Sequence, residues 1–91
     1  MEPQPLSETL PILYRAVLDA IAELEGLGFR REAAQVRVEA TGAYSGPWNP
    51  AAARRLTALR ARADRLATGR RRRRAVVLER LERFDLNRTP V

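Results

Sequence analysis

Apolar residues recur along the first third of the chain at Leu10, Leu13, Tyr14, Val17, Ile21, Leu24 and Leu27. Steps of three and four line one face of an α-helix. The helix is expected to start near Ser7–Thr9, both good N-cap types, with Pro11 tolerated inside the first turn. Gly26 and Gly28 supply its C-terminal stop. A second stripe, Phe29, Ala33, Val36, Ala40, Ala43 and Tyr44, predicts a helix from about Phe29 or Arg30 to Ala43. Ser45-Gly46-Pro47-Trp48-Asn49-Pro50 is a loop, because two prolines and a glycine interrupt any regular element. Asn49 then suits an N-cap and Pro50 the first position of a third helix. Its stripe is Ala52, Leu56, Leu59, Ala63 and Leu66, with Gly69 as its expected end. A fourth helical segment, Arg70–Leu86, carries Val77, Leu78, Leu81 and Phe84 on one side. Glu79 and Arg83 form an i,i+4 pair on the other side, worth about 0.3 kcal/mol. No stretch reads as a β-strand.

These elements predict an all-α fold. The short Gly26–Gly28 turn makes helices one and two an antiparallel hairpin, and the longer loop folds helix three back across them. A small three-helix bundle with a fourth, basic C-terminal helix buries all four stripes. The chain divides into a disordered lead at 1–6, a bundle at 7–69, and a basic helix with a frayed tail at 70–91. Trp48 is expected to pack as a hydrophobic staple against Ala53. Within the hairpin, Gly28, Ala33 and Ala40 lie at spacings where the segment faintly resembles one tetratricopeptide repeat. Ile21 replaces that family's small residue and Arg37 its large aromatic. There is no second copy, and arrays need about three, so the resemblance implies nothing further.

Charge adds a second organisation. All 17 basic residues are arginine, and lysine, histidine and cysteine do not occur. GC-rich codon usage accounts for the choice of arginine but not for its clustering. Residues 1–50 hold four arginines against seven acids, a net −3, and residues 51–91 hold 13 against four, a net +9. Such asymmetry implies a polyanionic or acidic partner for the second half.

Arg70–Arg74 is the densest part. Successive helical residues turn by about 100°, so the five form a collar and not a stripe. The collar falls where the apolar stripe from Leu66 to Val77 would place Arg70 and Arg73 or Arg74 on the buried side. An unpaired charge cannot be buried there at tolerable cost. The chain therefore either bends at Gly69 or projects past the bundle, leaving the collar solvated. Like-charge neighbours also oppose local helix by roughly 1 kcal/mol in sum. The segment is thus expected to be partly disordered alone and to order on a bound polyanion.

Little else carries chemistry. Without cysteine or histidine there is no disulfide framework and no ordinary zinc site, so neither metal nor cofactor is expected. Ser45 has no histidine or lysine to act as base, and the carboxylate pairs have routine surface spacing. No small-molecule substrate is evident, and an enzyme is not expected. The N-terminus does not read as a secretory signal and no apolar run reaches the about 20 residues that span a membrane, so the expected location is the cytoplasm. A helix-turn-helix at Gly26–Gly28 is disfavoured because the helix after it is nearly neutral. Glu79, Glu82 and Asp85 weigh against a membrane-surface role for the last helix.

The expectation is a small helical binding module that touches nucleic acid through Arg70, Arg71, Arg72, Arg73 and Arg74, extended by Arg54, Arg55 and Arg62, with Arg60 and Arg65 further along the same helix. Guanidinium matches phosphate oxygens, and such contacts carry no sequence readout. The alternative is a protein-interaction module without a nucleic-acid role. It would use Val77, Leu78, Leu81 and Phe84 toward an acidic protein, a partner helix or a second copy of the chain.

Overall fold

A computed structural model describes residues 5–87, with side chains at 5–82. Helix α1 is Leu6–Gly26, α2 is Arg30–Ser45 and α3 is Pro50–Asn87. Among the described residues there is no strand.

Helix α1 begins one residue ahead of Ser7, with Pro5 at its N-cap. The Pro5 carbonyl accepts the Thr9 hydroxyl at 3.1 Å and the Glu8 and Thr9 amides, each at 3.0 Å. The early start places Pro11 in the second turn, where it withholds the amide that Ser7 would otherwise receive. At the other end the Phe29 amide donates to Leu24 O (2.9 Å) and the Gly28 amide to Glu25 O (3.1 Å). Gly28 has φ +93°. This is a Schellman motif, with Gly28 at the left-handed position and Phe29 folded back over the helix end. Asn49 caps α3 as its side chain predicts: its Oδ1 accepts the Ala52 amide at 2.8 Å.

The three helices alternate up, down, up. Tyr14 stacks on Tyr44, and Arg37 meets Glu25, so α1 and α2 are antiparallel. Glu39 faces Arg55 and Arg62 while Phe29 lies under Arg70, so α2 and α3 are antiparallel too. The core is Leu10, Val17, Ala20, Ile21 and Leu24 of α1, Ala33, Val36 and Ala40 of α2, and Ala52, Leu56, Leu59, Ala63 and Ala67 of α3. No polar or charged residue is buried among the described residues.

The structure corrects the sequence at Gly69. There is no separate fourth helix: α3 runs for 38 residues straight through Gly69 and the arginines. A glycine stop works through a left-handed backbone, and only Gly28 has positive φ among the described residues. A helical glycine costs only about 1 kcal/mol relative to alanine. That cost is outweighed on both sides. Leu66 and Ala67 pack on the core before it, and Arg70 and Arg71 are tied to the bundle after it. The collar therefore continues α3 and carries it past the bundle, the second of the two courses its charge allows.

A Cβ built on Gly69 meets nothing nearer than an Arg73 guanidinium nitrogen at 4.0 Å. Gly69→Ala should accordingly stabilise α3 by about 0.5–1 kcal/mol. Urea unfolding followed by far-UV circular dichroism measures the gain.

At 1.5 Å per residue, α3 is about 57 Å long, and roughly 24 Å of it, residues 72–87, passes beyond the α1–α2 turn. The radius of gyration, 18.9 Å, exceeds the about 12 Å of a compact domain of this length for the same reason.

Candidate nucleic-acid interface

The arginines expected to act together divide into two groups. Arg55 and Arg62, two helical turns apart, bracket Glu39 of α2 at 3.9 and 3.5 Å. Arg60 pairs with Asp64 at 3.7 Å. Arg70 places its guanidinium 4.7 Å from the centre of the Phe29 ring. Arg71 forms an ion pair with Glu23. Glu23 and Glu39 are half-buried and their arginines are more exposed, so each pair contributes on the order of 1 kcal/mol, and together they fix where α3 leaves the bundle.

Glu23 and Glu25 explain why two arginines are drawn in. Both lie in the last turn of α1, where the helix macrodipole is negative and acids are unfavourable. That turn has no basic residue of its own. Arg71 of α3 and Arg37 of α2, the latter at 2.8 Å from Glu25, supply the missing positive charge.

The second group is Arg54, Arg65, Arg72, Arg73 and Arg74. All five are exposed. None has a carboxylate partner among the described residues. Arg54, Arg65 and Arg72 fall within about 20° of one another around α3, a row about 27 Å long. This row lies on the side of α3 opposite Leu56, Ala63 and Ala67. Ala58, Ala61 and Thr68 separate its members, so little bulk stands between them. Arg73 and Arg74 turn away from the row at its far end.

No protein-family model matches this chain, the tetratricopeptide repeat included, and comparison finds no similar curated protein and no similar solved structure.

The candidate interface is thus defined by its own geometry. Sequence reasoning named Arg54 and Arg72–Arg74 but grouped them with Arg55, Arg62, Arg70 and Arg71, which serve the bundle. Nothing local in the sequence announces Glu39, Glu23 or Phe29 as the partners responsible. The one weak signal was a pair of acids closing a helix without a nearby base. Trp48 has a partner that sequence reasoning did not name. It is 42% exposed, tilts against Tyr44 with ring centres 5.2 Å apart, and donates its indole N–H to the Tyr44 carbonyl at 2.7 Å.

Past the bundle, Val76, Val77, Leu78 and Leu81 are 46–54% exposed. Arg70, Arg73, Arg74, Val77 and Leu78 line a shallow open groove. The side chains of Arg83 and Phe84 lie outside the described residues, as do residues 88–91, so the Glu79–Arg83 pair and Phe84's place on the apolar face fall there too. Among the described residues no helix is long and apolar enough to cross a membrane, and no group of three or more His, Cys, Asp or Glu is gathered to hold a metal ion.

Proposed function

We propose that this chain is a non-catalytic module that binds nucleic acid through the phosphate backbone, using Arg72, Arg73 and Arg74 with Arg65 and Arg54 along the outer row of α3. The reading rests on one observation: these five exposed guanidinium groups have no carboxylate partner among the described residues, while Arg55, Arg62 and Arg71 do. A row of cations along one helix attracts a polyanion, with Arg54 and Arg65 held on the bundle and Arg72–Arg74 at the start of the arm. Residues 72, 73 and 74 span about 200° of the helix circumference. They therefore reach in opposite directions, as a helix lying between two phosphate rails requires. A bare helix with side chains is about 10–12 Å wide, the width of the major groove of B-form DNA.

The test is a salt titration of duplex-DNA binding. Each phosphate contact contributes about 0.9 to the log–log slope, so replacing Arg72, Arg73 and Arg74 by alanine should flatten it by roughly 2–3. Arg55→Ala/Arg62→Ala should leave the slope unchanged, because those side chains serve Glu39. Absence of binding by the native chain at moderate salt would sink the reading. A second reading, a protein-interaction module, is favoured by the exposed Val76, Val77, Leu78 and Leu81.

A further inference from the structure

The apolar face of the projecting arm is continuous with the face that builds the core. Ala52, Leu56, Leu59, Ala63 and Ala67 are buried against α1 and α2. Val77 and Leu81 lie within about 40° of the centre of the same side of α3, with Arg70 and Arg74 between. Where α1 and α2 stop, that side loses its cover. Val77, Leu78 and Leu81 then stand 53–54% exposed, three large apolar residues on a single helix. A lone helix of about 16 residues is marginal in water, because helices in proteins are held mainly by packing of an apolar face. The arm is built as one half of a helix pair.

We propose that the other half is the arm of a second copy of this chain, packed antiparallel. The charge along the arm selects both partner and direction. Its near end is Arg70–Arg74, a block of +5, while residues 79–86 carry Glu79, Glu82 and Asp85 against Arg80 and Arg83, a net −1. A parallel pair would set two arginine collars side by side, ten like charges around one interface. An antiparallel pair centred near residue 79 sets Val77 level with the partner copy's residue 81. It also sets Arg72–Arg74 level with positions 84–86, which include Asp85. Two arms of equal length cover each other fully, and the end of each reaches the α1–α2 turn of the other, where Leu27 and Phe29 are only partly buried. An acidic protein would meet the collar equally well, but nothing on its side would need to match the arm's length or its reversal of charge. The inference rests mainly on the apolar side of α3 and shares only Arg72–Arg74 with the proposed DNA contact, so its test is run on the protein without nucleic acid.

Sedimentation equilibrium of the nucleic-acid-free protein through the micromolar range tests it. The native chain should be a dimer. Val77→Glu/Leu81→Glu should be a monomer with unchanged bundle helicity, since neither side chain is part of the buried core. Direction is read separately. The chain has no cysteine, so Thr68→Cys introduces a single site for a spin label at an exposed position. In the antiparallel dimer the two labels lie about 33 Å apart along the axis, and in a parallel one they share a level within about 20 Å, two helix diameters. A monomeric native chain, a dimer that survives the double glutamate substitution, or a short label distance would each overturn the proposal.

Discussion

Leu56→Ala is expected to cost about 2–5 kcal/mol, the usual range for truncating a fully buried leucine. Leu56 has no exposed surface and lies at the centre of the α3 stripe, among the helix's buried alanines. The neighbourhood is poorly able to collapse around the loss. The buried cluster around it includes Ala33, Ala40, Ala52, Ala63 and Ala67, whose methyl side chains have no rotamers that could fill a cavity at position 56. A domain of this length has a total stability of about 5–14 kcal/mol, so this one change removes a large share. Urea unfolding monitored by far-UV circular dichroism should show a lower midpoint with little change in slope. Ile12→Ala is the control. Ile12 is 61% exposed and should shift stability by no more than about 0.5 kcal/mol.

Gly28→Ala should destabilise the bundle by about 1–2 kcal/mol, and Gly26→Ala should stabilise it by about 0.5–1 kcal/mol. The opposite signs come from backbone conformation alone. A Cβ added at either glycine meets nothing within 4 Å. Gly26 is the last helical residue of α1, where alanine is the better residue. Gly28 sits at φ +93°, where a Cβ crowds its own backbone. The effect reaches the arm as well. Gly28 directs Phe29 back over the helix end, and Phe29 carries the Arg70 guanidinium. Gly28→Ala should therefore loosen the start of the arm, seen as faster amide hydrogen exchange around residues 69–74. Gly26→Ala should not.

The two glycines show how much of the fold was legible. Sequence spacing identified the turn, the two helices it joins and the stop, because local backbone chemistry allows few other solutions. It treated Gly26 and Gly28 alike, since which glycine adopts the left-handed conformation depends on where α2 must enter the bundle. Asn49-Pro50 was read correctly for the same local reason: an N-cap and a first-turn proline act within four residues of each other. Gly69 was misread because a glycine is a stop only when the chain beyond it has nothing to gain by continuing. Here the gain lies in Phe29 and Glu23, about 40–48 residues away in sequence. The arginine site was blurred in the same way. Composition reveals seventeen cations but not which of them a carboxylate on another helix has claimed.

The sequence by itself determined an all-helical chain, its four apolar stripes, its loop, the Asn49 cap and the Gly26–Gly28 stop, and a charge pattern that sets an acidic first half against a basic second half. These follow from interactions within one or two turns of helix, which a linear pattern records. Tertiary structure alone decided that the last two helical segments are one, and that Arg70 and Arg71 anchor the arm. It alone separated Arg55 and Arg62, held by Glu39, from Arg54, Arg65 and Arg72–Arg74, which face outward without a carboxylate partner among the described residues. Those outcomes depend on which side chains are brought within a few ångströms by packing of the core, and no spacing rule along a single helix contains that information.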